Sequence, residues 1–151
     1  VGRLLREKGR TLATAESCTG GNIARLITSV PGSSEYFTGS VVSYANSVKV
    51  KLLGVDEKLI SNNGAVSEPV VRAMAEGARI LFSTDYSLAT SGIAGPGGGT
   101  PEKPAGTLWV AVASASAILT EKHTFGEDRS INIGRFSNVA LNMLRKQIIS
   151  D

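Results

Sequence analysis

The chain has 151 residues, 42% of them hydrophobic and 19% charged, with a net charge of +3. That is one domain's worth of ordinary globular composition, long enough to bury its own core. One cysteine excludes an internal disulfide and fits a reducing cytoplasm, and no apolar run approaches the length of a membrane-spanning helix.

The opening "VGRLLREKGR" has neither a signal-peptide core nor an initiator Met, which fits a chain that is processed, trimmed or part of something longer. Its "LLREKG" predicts a short helix ending at Gly9. Arg3, Arg6, Lys8 and Arg10 cluster there, but Glu7 interrupts them and no aromatics interleave. They read as a solvated helix face, so no nucleic-acid partner is expected.

"TLATAE" predicts a buried strand over residues 11–16. From Thr19 the apolar positions Ile23, Leu26, Ile27 and Val30 follow helical spacing, and Pro31 ends that helix. "FTGSVVSYA" is strand-like. Asn46 is the expected N-cap of a helix carrying Val48, Leu52 and Leu53, closed by Gly54. "SNNGAV" reads as a loop. Ser67 then caps a helix with Pro69 in its first turn and Val70, Met74, Ala78 and Leu81 as its stripe.

"YSLATSG" is a strand running into "GIAGPGGGTPEKPAG". "TLWVAVASA" and "AILTEKHTF" form two more strands joined near Ser116. An amphipathic helix with Ile133, Phe136, Ala140, Leu144 and Ile148 closes the chain. Alternating strands and helices followed by a strand pair predict an α/β fold. We expect a single-domain three-layer sandwich over residues 1–151, a mixed sheet with helices on both faces.

Ligands of such sheets sit beyond the carboxyl ends of the strands. "ESCTGG", "SYANSVK" and "TSGIAGPGGG" all end strands, so they are expected to converge. In the first, Ser17 and Cys18 stand where a strand hands over to a helix. The backbone N–H groups of Cys18, Thr19, Gly20 and Gly21 would be orphan donors of the helix start, suited to an oxyanion. A plain helix cap is the competing reading.

A Ser nucleophile needs a base, and the one His, His123, lies in a strand without a triad around it. That leaves a Ser-Lys arrangement with a Lys of lowered pKa. Lys49 sits in the first turn of its helix, where the dipole disfavours its charge. Tyr44, at the strand end, is placed to relay a proton or orient the Lys. A surface Lys and a half-buried Tyr are the ordinary alternative. A thiolate at a helix start would make Cys18 the rival nucleophile.

The Gly-rich segment lacks the pattern of a P-loop or of a dinucleotide fingerprint and reads as a ligand-covering loop. Neither Cys/His nor acidic spacing suits a metal site. Arg129, near the last helix, is either a phosphate ligand or a helix-end surface residue.

In this order, "TLATAESCTGGNIARLITSVPGSSEYFTGSVVSYANSVKVKLLGV", "GAVS" and "SGIAGPGGGTPEKPAGTLWVAVA" resemble the C-terminal domain of the competence/damage-inducible protein CinA. The resemblance covers nearly the whole chain. Stand-alone members of that family are nicotinamide-nucleotide amidases. They convert nicotinamide mononucleotide to nicotinate mononucleotide and ammonia in pyridine-nucleotide recycling, using a Ser, a Lys and a Tyr without metal or cofactor.

The resemblance makes Ser17 the nucleophile and Tyr44 and Lys49 its proton-handling pair. The helix-start reading makes Cys18, Thr19 and Gly20 the oxyanion donors. Gly21, Asn46, Gly92, Gly95, Gly97, Gly98 and Arg129 become the substrate-binding set. "GEDR" departs from the family's "GDR" by one residue, so Arg129 aligns only with an adjustment and Arg135 is a second candidate. The implied partner is a small nucleotide, and a symmetric dimer is expected of a small α/β enzyme. The alternative is a non-catalytic nucleotide- or partner-binding module of a larger CinA protein.

Overall fold

The computed structural model describes residues 1–151. Strands β1 (Leu12–Glu16), β2 (Phe37–Val42), β3 (Tyr86–Gly92), β4 (Thr107–Ala113) and β5 (Ile118–Thr124) form one sheet in the order β2-β1-β3-β4-β5. β1 runs parallel to both β2 and β3, while β3, β4 and β5 pair antiparallel. All of β1 is buried, because helices cover both of its faces.

Helices α1 (Gly2–Lys8), α2 (Asn22–Thr28) and α6 (Arg129–Ser150) lie on one face of the sheet. They pack Leu5, Ile23, Ile27, Phe136 and Leu144 against Leu12, Leu88, Leu108 and Val110. Helices α3 (Asn46–Leu53), α4 (Glu57–Asn63) and α5 (Glu68–Phe82) cover the other face. There Val70, Val71 and Met74 meet Ala15, Ala89, Ala111 and Ala113. Strand alternation therefore sorts large residues to one face and alanines to the other, which lets α5 lie close to the sheet. Gly77 extends the same close packing, since a Cβ there would land on the Leu53 carbonyl of α3. The single-domain α/β/α sandwich is the expected one.

Several boundaries differ from the sequence reading. α2 starts at Asn22, not Thr19, and ends before Val30, which is exposed. The N-cap of α3 is Ala45, in extended conformation, and Asn46 is already the first helical residue, with no capping bond from its side chain. Leu52 and Leu81 face solvent, and in α3 the buried positions are Lys49 and Leu53. "SNNGAV" is half helix: α4 begins after Asp56, whose side chain accepts from the Lys58 N–H, and runs to Asn63. Ser67 does occupy the N-cap of α5, but its hydroxyl donates backwards to the Gly64 carbonyl. No helix is long and apolar enough to cross a membrane.

Candidate active site

Because β1, β2 and β3 are parallel, their carboxyl ends reach the same edge of the sheet. The chain leaves β1 through Ser17, β2 through Ser43 and Tyr44, and β3 through Gly92. These exits, with the starts of α3 and α6, enclose a cleft of about 300 Å³. Ser17, Cys18, Tyr44, Asn46, Lys49, Val66, Ile93, Gly97, Gly98 and Arg129 line it, and no lining side chain is acidic.

Ser17 is held by its backbone: its N–H donates to the Thr90 carbonyl at 3.0 Å and its carbonyl accepts from the Gly20 N–H at 3.1 Å. Lys49 reaches it from α3. The Lys49 Nζ lies 3.2 Å from Ser17 Oγ, 2.6 Å from the Ser43 carbonyl and 3.4 Å from the Tyr44 carbonyl. The lysine is only 1% exposed, and burial pushes its pKa down. No carboxylate faces it. A neutral amine here keeps two N–H donors for the two carbonyls and turns its lone pair to the Ser17 hydroxyl. That is the geometry of a base beside a nucleophile.

Tyr44 lines the cleft, yet its phenol is not at the Ser-Lys pair. The residue is 62% exposed, and its hydroxyl accepts from Arg129 Nη2 at 2.9 Å. Only its carbonyl meets Lys49. Arg129 is the first residue of α6, and its Nη1 donates to the Gly95 carbonyl at 2.8 Å. One guanidinium thus ties the Gly-rich loop to the end of β2 and still presents charge to the cleft. Asn132, one turn on and buried, donates to the Ala94 and Gly126 carbonyls and pins the same loop.

The glycines divide. Gly97 and Gly98 line the cleft. Gly92 also lines it, but a Cβ there would stand 2.5 Å from the Thr107 carbonyl oxygen and 3.0 Å from the Cys18 sulfur, so its smallness serves packing. Gly95 does not line the cleft and contributes its carbonyl to Arg129. Gly21 does not line it either: with φ +94 it makes the turn into α2, and its N–H goes to Glu16.

Glu16 is the residue the sequence reading missed. Fully buried, its Oε2 accepts from Thr19 Oγ1 (2.7 Å), the Gly21 N–H (3.1 Å) and the Ile23 N–H (3.0 Å), and its Oε1 from the Ala24 N–H (2.8 Å). The orphan donors at the α2 start are therefore answered from within, and the Gly20 N–H is taken by Ser17. Of the expected oxyanion donors, the N–H groups of Cys18 and Thr19 remain without an oxygen acceptor; Cys18 lines the cleft, while Thr19 lies buried just behind it and Gly20 does not line it. The available signal was an acid closing a buried apolar strand just before a helix start.

Cys18 is buried, and that burial pushes its thiol up to about 12, far from a thiolate. His123 sits on β5, away from the cleft, with Nε2 2.9 Å from Glu121 Oε2. Arg135 does not line the cleft.

The sequence matches the CinA C-terminal domain profile over residues 1–148. It is 50% identical over 148 residues to a CinA-like protein of Salinibacter ruber, covering 98% of this chain and 36% of the relative. It is also 50% identical over 156 residues to a CinA-like protein of Synechocystis, covering 99% and 37%. The chain thus spans little more than a third of the length of these curated relatives. The crystal structure of competence damage-inducible protein A (ComA) from Klebsiella pneumoniae superposes with a TM-score of 0.94 at 33% identity, covering 97% of this chain and 91% of that one. With the profile spanning 148 of its residues and the fold matched throughout, this chain belongs to the CinA C-terminal domain family.

Proposed function

We propose that this domain hydrolyses the carboxamide of nicotinamide mononucleotide, giving nicotinate mononucleotide and ammonia. The observation that carries the reading is the buried Lys49 amine 3.2 Å from Ser17 Oγ, its pKa lowered by burial. The cleft supports the substrate class. Its volume suits a small ligand, Arg129 suits a phosphate, and the absence of acidic lining residues favours an anion.

Ser17 Oγ attacks the amide carbon and passes its proton to Lys49 Nζ. The carbonyl oxygen takes the negative charge, and the Cys18 and Thr19 N–H groups stabilise it. The intermediate collapses, the C–N bond breaks, and Lys49 returns the proton to the leaving nitrogen, which departs as ammonia. Water then attacks the Ser17 ester, giving its proton to Lys49, and Ser17 Oγ leaves and is reprotonated. Proton transfer belongs to Lys49 alone in this reading. The Tyr44 hydroxyl, bonded to Arg129, belongs to the phosphate end.

The test is ammonia release from nicotinamide mononucleotide, its riboside and free nicotinamide, by the wild type and Ser17→Ala. Turnover of the nucleotide, weaker turnover of the two compounds without phosphate, and loss on the order of 10⁴-fold in Ser17→Ala are expected. Equal rates in the wild type and Ser17→Ala would remove the mechanism. Nucleotide binding without turnover by the wild type would support a binding module instead.

A further inference from the structure

Between Ser17 and Arg25 the destinations of the backbone N–H groups form a closed account. Ser17 donates to Thr90, Gly20 to Ser17, Asn22 to Thr19 and Arg25 to Gly21. Gly21, Ile23 and Ala24 donate to the Glu16 carboxylate. Only Cys18 and Thr19 are left over, and they directly follow the nucleophile. Glu16 accepts four hydrogen bonds and donates none, the pattern of an ionised carboxylate. It is 0% exposed, and burying such a group is tolerated only with this kind of complete satisfaction.

The bond to Thr19 Oγ1 reaches from the carboxylate to the residue bearing one of the two free N–H groups. Thr19 Oγ1 in turn lies 2.9 Å from Thr90 Oγ1. The strand end, the nucleophile's turn and the start of α2 are thus tied through one side chain.

We infer that Glu16 is a positioning residue for the reaction at Ser17: by taking up the helix-start donors and Thr19, it leaves the Cys18 and Thr19 N–H groups aimed at the oxyanion. The inference takes its reaction from the amidase reading, but any acyl or phosphoryl chemistry at Ser17 draws on the same two donors.

Glu16→Gln keeps the shape and replaces one oxygen by an NH₂ group. Whichever way that amide turns, a donor then faces at least one N–H donor of the α2 start, and the turn must shift. Two rates are measured in the wild type and Glu16→Gln. One is kcat and KM for nicotinamide mononucleotide. The other is phosphonylation of Ser17 by an alkyl fluorophosphonate, followed by intact mass. In the latter the Oγ–P bond forms, P–F breaks, fluoride leaves, the Oγ proton passes to Lys49, and the phosphoryl oxygen occupies the oxyanion position.

In Glu16→Gln, kcat and the phosphonylation rate are expected to fall together by about 100-fold, with KM within about twofold, as misplaced donors act on the transition state rather than on binding. Thr19→Val, which removes the hydroxyl and keeps the N–H, is expected to fall in the same pattern by about tenfold. It carries the test if Glu16→Gln does not fold. Wild-type rates in a folded Glu16→Gln, or in Thr19→Val where that variant stands in, overturn the inference. So does a loss that merely tracks the folded fraction in a thermal melt. If the wild type is phosphonylated but releases no ammonia, the substrate reading fails and the phosphonylation rates alone decide the role of Glu16. If Ser17 does neither, both fall.

Discussion

The two ends of the sheet treat charge in opposite ways. At the end opposite the cleft, Asp85 is fully partnered. It accepts from the Thr11 N–H and hydroxyl at 2.8 Å each and pairs with Arg10 at 2.7 Å. Burial raises its pKa, but those donors outweigh it and hold the carboxyl below the usual range. At the cleft end, Lys49 is more deeply buried and has only neutral partners, so desolvation wins and its pKa falls. A paired charge resists titration and ties strands together. An unpaired buried amine costs stability while charged and gains a lone pair when neutral. The end proposed to react is the one where the fold leaves a charge without a counter-charge.

The sharpest way to break this contrast is Lys49→Met. Ammonia release is expected to fall roughly 1,000-fold, while the melting temperature holds or rises, since no buried cation remains. In the wild type, the rate should rise with pH through the lowered Lys49 pKa, because only the neutral amine accepts the Ser17 proton. The same depressed value means that the unfolded chain binds this proton more tightly. Its contribution to stability is therefore complete above the unfolded lysine pKa and declines as pH falls through the folded one. A pH–rate profile and melts across that window read both effects, and an activity that rises on acidification would refute the assignment.

Next in size, Gly92→Ala forces a methyl against the Thr107 carbonyl and the Cys18 sulfur. It should cost about 1–3 kcal/mol in denaturant unfolding and lower turnover as the Ser17 turn is pushed. Asp85→Asn tests the other end, with an expected loss of about 1 kcal/mol and unchanged kcat. Its sign in pH is that of a depressed carboxylate. The stabilisation is present above the unfolded pKa and lost as pH falls through the lower folded one, so variant and wild-type melting curves should converge in acid. The smallest effect belongs to His123→Gln, level with Gly92 but two strands across the sheet and outside the cleft lining. Stability should stay within about 0.5 kcal/mol and activity should be unchanged, which separates the Ser-Lys reading from any histidine mechanism.

Much of this architecture was legible in the chain. "YSLATSG" matches β3 (Tyr86–Gly92) because β-branched, aromatic and small residues bounded by glycine permit little else. Phe136, Ala140, Leu144 and Ile148 recur at helical spacing and are buried as expected. Local chemistry also marked Ser17, Lys49 and the Gly-rich loop as the segments to watch. Where it failed, long-range packing had overridden a local preference. Asn46 has the side chain of a cap, but the cap is set by the extended backbone of Ala45 leaving β2. Leu52 is apolar yet faces solvent, while Lys49 turns inward beside Leu53 because Ser43, Tyr44 and Ser17 offer it acceptors.

The sequence by itself determined the order and type of the main elements and the residues able to do chemistry, since both follow from periodicity and side-chain type along short stretches. Tertiary structure decided which groups meet. It brought residues 17 and 49 within a hydrogen bond, sent the Tyr44 hydroxyl to Arg129, and turned Glu16 inward. Those choices depend on parallel strands ending at one edge and on where buried polar atoms find partners, neither of which is written in local spacing.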